Sequence, residues 1–230
     1  MNQTNAAKQA AGQRGAAFVE DGMTIGLGTG STTAFALEAI GERIRAEGLD
    51  VRGVATSYAA EQLARQHGIP LMTFDDVDRL DLALDGADEV DPSLNLIKGR
   101  GAAHTREKVV AAQADRFVVL ADPTKRVDQL GTQMPLPVEV VPMAAPTVQR
   151  ALRAWGATPE LRMGRRKDGP VITDQGLWVI DAHFDGIDDP HALNRRLNDQ
   201  PGVLDHGLFL DRATDVLIGQ PGGSVEHLSQ

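Results

Sequence analysis

The chain has 230 residues, 42% hydrophobic and 24% charged, which is ordinary globular usage and room for one large domain or two small ones. Its net charge of -9, with basic residues scattered, argues against a nucleic-acid partner; a small phosphorylated ligand, needing only a few local donors, stays open. The absence of cysteine excludes disulfides, thiolate metal sites and a cysteine nucleophile. No apolar run approaches the ~18 residues of a membrane span, so a soluble, cytoplasmic protein without a membrane partner is expected.

In chain order, residues 6–20 predict an alanine-rich helix ended by Asp21-Gly22, and residues 23–27 a short strand. Gly28-Thr-Gly-Ser31 reads as a tight loop, followed by a helix from Thr32 to about Glu47 that Gly48 closes. Residues 51–55 predict a strand. Ser57 caps a helix to His67, which Gly68 stops. Strands are expected at 71–73, 80–84 and 117–121, with a helix over 102–114. Alternating helices and nearly continuous apolar strands predict an α/β fold, a parallel sheet covered on both faces.

The pattern changes near residue 129. Pro135, Pro137, Pro142 and Pro146 fall within 12 residues, so the strand expected at 135–141 is assigned as an edge or first strand. A helix (147–155), strands near 158–163, 170–173 and 177–184, a helix (189–198) and a last strand (202–210) give a small ferredoxin-like α+β domain. Asp215-Val-Leu-Ile-Gly219 is an apolar strand expected to return to the first sheet. The expected division is 1–128 with 211–230 for one domain and 129–210 for the other.

Gly26-Leu-Gly28-Thr29-Gly30-Ser31-Thr32 sits between a strand and a helix, where glycines let backbone N–H groups approach an anion and the helix N-terminus adds partial positive charge. A dinucleotide site fits poorly. The third glycine of that fingerprint is missing, and Thr56-Ser57 stands where its acidic residue belongs. A phosphate cradle fits better than a plain turn, with Lys8 and Lys125 as candidate cations.

The stretch from Asp85-Gly86-Ala87-Asp88 through Lys98-Gly99-Arg100-Gly101 to Arg106-Glu107-Lys108 crowds acids, bases and glycines into 24 residues behind an apolar strand. Proton transfer next to a carbonyl needs a carboxylate base, a cation near the developing enolate oxygen and an acid between oxygens. Glu107, Lys98, Asp85 and Asp88 match these needs. A solvated acidic turn followed by a helix with local ion pairs accounts for the same composition equally well. The six histidines show no ligand spacing, so no metal site is expected, and His104 reads as a surface helix residue.

Six motifs in order carry a family resemblance. They are Gly28-Thr-Gly-Ser-Thr32, Asp85-Gly-Ala-Asp88-Glu, Ile97-Lys-Gly-Arg-Gly101 with Arg106-Glu107-Lys108, Asp122-Pro-Thr-Lys125, Pro135-Leu-Pro-Val-Glu-Val140, and Pro201-Gly-Val with Gly207-Leu-Phe209. From about Lys8 to Gly219 the chain resembles type A ribose-5-phosphate isomerases. The resemblance implies an aldose–ketose isomerase of the non-oxidative pentose phosphate pathway that uses no metal and no cofactor. It would interconvert ribose 5-phosphate and ribulose 5-phosphate through an enediolate. It implies Glu107 as the base between C1 and C2, Lys98 as the stabiliser of enediolate charge, and Asp85 with Asp88 for ring opening and oxygen-to-oxygen protons. Lys8, Thr29, Gly30, Ser31, Thr32, Gly86, Ala87, Gly99, Arg100, Gly101 and Lys125 would line the substrate site. It further implies a Rossmann-like domain with a lid-like α+β domain, in homodimers or homotetramers. Arg100 departs from a glycine common in the family, and the Asp174–Trp178 hairpin lacks the family's asparagines. A sugar-phosphate sensor would need phosphate donors without a general base; an amino-sugar-phosphate deaminase or CoA transferase would need a different loop constellation.

Overall fold

The computed structural model describes residues 3–229. They form two compact units: the described residues up to Ala87, with Arg106–Arg126 and the described residues from Arg212 on, make the first, Asp88–Thr105 and Val127–Asp211 the second. In chain order the elements are α1 (Gln3–Ala16), β1 (Thr24–Leu27), α2 (Ser31–Glu47), β2 (Arg52–Ala55), α3 (Tyr58–His67), β3 (Leu82–Gly86), β4 (Glu89–Val90), β5 (Leu96–Ile97), α4 (His104–Ala112) and β6 (Phe117–Ala121). There follow β7 (Leu136–Val140), α5 (Ala145–Ala154), β8 (Thr158–Leu161), β9 (Trp178–His183), α6 (Pro190–Asn198), β10 (Val203–His206), β11 (Leu208–Phe209), β12 (Asp215–Gly219) and β13 (Val225–Ser229).

The first unit is built on a six-stranded sheet in the order β13-β12-β6-β3-β1-β2. All neighbours are parallel except β13, which runs antiparallel to β12. Read by chain order the parallel strands run 2-1-3-4-5, the doubly wound arrangement with its switch point between β1 and β3. Its strands are apolar because both faces are covered. Ile25, Leu27, Leu84, Val118 and Leu217 form one core with Ala11 of α1, Leu37 and Ile40 of α2 and Ala64 of α3, each fully buried. Ser57 caps α3 by accepting from the Ala60 amide at 3.0 Å. This is the parallel α/β sheet expected from the sequence.

The second unit carries an antiparallel four-stranded sheet, β10-β7-β9-β8, and a three-stranded one, β11-β5-β4. With α5 and α6 the larger sheet has the β-α-β-β-α-β order and the 4-1-3-2 arrangement of a ferredoxin-like fold. Val148 and Leu152 of α5 and Leu193 and Leu197 of α6 pack with Val138, Val140, Ile180 and Ala182 on one face of it. The side chains of Glu139 and Asp181 alternate to the other face.

Several local expectations are corrected. The strand at 135–141 is the first of its sheet in chain order, one of the two expected placements, but not an edge: β7 is paired on both sides. Proline is tolerated there because β10 ends at His206, opposite Val138, so Pro137 lies one residue past that ladder and only its carbonyl is used, by the Gly207 amide at 2.8 Å. The strands expected at 71–73 and 170–173 reduce to single bridges, Gly53 with Leu71 and Met163 with Pro170. The first helix stops at Ala16, and the following turn carries Val19 into the core. The helix expected from 102 begins at His104, because Ala102 has φ 61°, outside helical backbone. The last strand expected at 202–210 is split into β10 and β11, which pair in different sheets; β4, β5 and β13 have no counterpart among the expected strands.

Candidate active site

In the first unit β1, β3 and β6 are adjacent and parallel, so the loops after them leave the same carboxyl edge of the sheet. The crevice outside this edge, at the switch point, is where such sheets bind ligands. Asp85 stands there near the end of β3, 2% exposed. Its Oδ1 accepts from the Thr29 amide at 3.0 Å and from the Gly86 amide at 2.7 Å. The approach needs a glycine at 28, since a Cβ there would lie 2.4 Å from the Asp85 carboxyl carbon. Thr29 joins a hydroxyl chain, with Thr56 Oγ1 at 2.8 Å and Ser57 Oγ at 2.7 Å. The sequence marked Thr56-Ser57 as the pair standing where a dinucleotide site has an acid, and Ser57 as a helix cap, but neither as part of the site; their position just after β2 is the signal that could have placed them.

Gly30 precedes α2 without a side-chain cap, leaving the first amides of Ser31 and Thr32 without a capping acceptor from that residue. Lys8 on α1 donates from Nζ to Ser31 Oγ at 3.0 Å, bringing an ammonium to this helix start. Together they form an anion-favouring corner. Lys125 sits in the short 3-10 turn Pro123–Lys125 after β6, whose Asp122 cap accepts from the Thr124 amide at 3.0 Å. Glu107 lies in the first turn of α4 and is 5% exposed, where the helix dipole favours a carboxylate. Beside it Arg106 reaches Glu61 Oε1 and the Ala55 carbonyl, both at 3.3 Å, and stacks over Tyr58.

The chain enters the second unit between Ala87 and Asp88 and leaves it between Thr105 and Arg106. Asp88 Oδ2 accepts from the Arg100 amide at 2.9 Å, and Arg100 Nε lies 3.6 Å from Oδ1. Arg100, which departs from the glycine common in the resembled family, is a partner of Asp88, with its guanidinium largely in solvent. Lys98 is 2% exposed, follows β5 and donates its amide to the Gly207 carbonyl at 2.9 Å. Its Nζ lies 5.4 Å from the centre of the buried Phe209 ring, within cation–π reach. The Gly207-Leu-Phe209 motif thus seats Lys98, a role the sequence did not assign. Glu89 is fully buried, accepting from the amides of Gly131 at 2.6 Å, and of Gln133 and Met134 at 2.7 Å each.

His104 is a correction. It is fully buried instead of lying on the surface, and its ring packs where a Cβ on Gly99 would stand, 2.7 Å from Nδ1. Among the described residues no group of three or more His, Cys, Asp or Glu is placed to hold a metal ion, and no helix is long and apolar enough to cross a membrane.

Residues 52–223 match the family model of ribose 5-phosphate isomerase A (phosphoriboisomerase A). The chain belongs to this family. Ribose-5-phosphate isomerase A of Haloarcula marismortui is 55% identical over 228 residues, covering 99% of this chain and 98% of that protein. That of Thermosynechococcus vestitus is 53% identical over 214 residues, covering 93% and 91%. A solved D-ribose-5-phosphate isomerase in complex with phospho-erythronic acid superposes with a TM-score of 0.94 at 49% identity over 97% of both chains. The enzyme from Methanocaldococcus jannaschii gives 0.93 at 46% identity over 97% of this chain and 98% of that one. Membership sets aside the sensor, deaminase and CoA-transferase alternatives.

Proposed function

We propose that the chain interconverts ribose 5-phosphate and ribulose 5-phosphate, as a family member, by moving a proton between C1 and C2 through an enediolate. The observation that carries the assignment of roles is burial. Asp85, Lys98 and Glu107 are ionisable, lie within 23 residues of chain, and are 2%, 2% and 5% exposed. Burying charge costs free energy that ordinary surface residues avoid, so three such groups at strand and helix ends favour a chemical use over a solvated turn. In this reading Glu107 takes the proton from one carbon and returns it to the next. Lys98 stabilises the charge that develops on the enediolate oxygens, a task that a fixed cation performs without a metal. Asp85, oriented by two backbone amides, assists ring opening and moves protons between oxygens, with Asp88 beside it in the reaction. The α2 start, with Thr29, Gly30, Ser31, Thr32, Lys8 and Lys125, receives the phosphate. Gly86, Ala87, Gly99, Arg100 and Gly101 line the sugar.

The reading extends to a cytoplasmic homodimer or homotetramer of the non-oxidative pentose phosphate pathway, with residues 129–210 as a lid-like domain. The test is turnover of ribose 5-phosphate in heavy water. Deuterium entering the transferred position supports the enediolate route. Isomerisation that washes in no label, or activity that is lost on exhaustive chelation and returns only with a divalent ion, would count against it.

A further inference from the structure

The loop that carries Lys98 in the second unit is strained. Gly99 has φ 104° and Ala102 φ 61°. A non-glycine residue at positive φ is disfavoured and persists only where its surroundings over-determine it. Arg162, just after β8, supplies that constraint. Its Nη1 donates to the carbonyls of Gly99 and Arg100, at 3.0 Å each. Its other edge binds Asp181 of β9, with Nε to Oδ2 at 2.8 Å and Nη2 to Oδ1. Both side chains are more than four-fifths buried. The Gly99 carbonyl also accepts from the Ala102 amide at 2.9 Å, so the turn and the clamp share one oxygen.

The clamp stands on a rigid base. Asp181 is paired with Pro137 on one side and Glu160 on the other, and the Arg162 amide donates to the Val179 carbonyl at 2.9 Å. The far end of the loop is tied to the same sheet, where the Thr105 hydroxyl bonds the fully buried Glu139 of β7. Residues 99–105 are thus pinned at both ends to the sheet face opposite the α5–α6 core.

We infer that Arg162, oriented by Asp181, is a positioning residue for the reaction: it sets the peptides at 99–100, and through them the Lys98 amine and the Arg100 amide that holds Asp88. A guanidinium fork suits the task because one planar group must reach two carbonyls and a carboxylate at once, which a lysine ammonium does not reproduce. The inference rests on the roles proposed above for Lys98 and Asp88.

The test uses the full chain with Arg162→Ala, Arg162→Lys and Asp181→Asn, measuring kcat, KM and thermal unfolding, with and without guanidinium well below denaturing concentrations. Arg162→Ala is expected to lower kcat about 10- to 100-fold with KM little changed, the scale on which small misplacements act. Arg162→Lys is expected to recover little, and free guanidinium to restore part of kcat in Arg162→Ala but not raise the wild type. A folded Arg162→Ala with wild-type kcat would overturn the inference; so would a loss of kcat that tracks a loss of stability and is not rescued by guanidinium. If Arg162→Ala does not fold, Asp181→Asn decides: a kcat loss at unchanged melting temperature supports the inference, and unchanged kcat overturns it. Lys98→Ala separates the two levels. Full activity there breaks the reading of Lys98 itself, whereas an inactive Lys98→Ala beside a fully active Arg162→Ala breaks the positioning role alone.

Discussion

Two aspartates stand on the first sheet at opposite edges. Asp85 lies near the carboxyl end of β3, and Asp215 opens β12 at the amino edge. Both are buried, at 2% and 4% exposure. Their surroundings differ. Asp215 is held by a bidentate Arg116, with both N–O distances 2.7 Å, by the Thr214 hydroxyl at 2.7 Å and by His227 Nε2 at 2.6 Å. Arg116 also stacks on Phe18, and His227 meets the edge of the same ring. Asp85 Oδ1 is instead oriented by the amides of the glycine loop. A carboxylate bound on several sides by a guanidinium, a hydroxyl and an imidazole is committed to structure. For Asp85, aimed by backbone amides near the switch point, we propose a part in the chemistry instead.

The sharpest way to break this contrast is to neutralise each carboxylate in turn. Asp85→Asn is expected to lower kcat by about 10²- to 10⁴-fold, the range of acid–base catalysis, with the melting temperature nearly unchanged. Equal activity would make Asp85 a second structural aspartate. Asp215→Asn is expected to do the reverse. It should cost about 2–3 kcal/mol in urea unfolding, somewhat less than a fully buried pair because Arg116 is partly exposed, and leave kcat of the folded protein within about twofold. A catalytic loss without a stability loss would refute the division of labour.

A gentler test uses pH. The Arg116 guanidinium, with help from Thr214 and His227, holds the Asp215 carboxyl far below the usual carboxylate range. The unfolded chain therefore takes up this proton first as pH falls. The pair's contribution is complete above the unfolded value of about 3.9 and is lost as pH drops below it toward the folded value. Wild-type unfolding free energy should fall more steeply than that of Asp215→Asn in denaturant titrations between about pH 5 and pH 2. Parallel curves would contradict the assignment.

The same contrast explains what could be read from the chain. The strands around both aspartates are apolar runs bounded by turns, so the parallel sheet was legible, as was the place of Asp85 at a strand end. The partners were not. Arg162 falls near the end of the strand expected at 158–163, with nothing local to mark its role; its partner is Asp181, 19 residues on and on another strand. His104 looked solvent-facing because nothing local reports that Gly99, at positive φ, leaves room for its ring. β13 was hidden by its mixed composition, Val225-Glu-His-Leu-Ser229, yet it supplies His227 to Asp215. β4 and β5 have two residues each, too few for any period to show.

The most direct measurement of the central claim is the isomerisation rate of Glu107→Gln with ribose 5-phosphate, alongside binding of the substrate to the same variant. The expected result is a fall in kcat of about 10³-fold or more with affinity retained, because the amide keeps the shape of the side chain and removes the base. Turnover near the wild-type rate would contradict the assignment of the carbon-bound proton to Glu107.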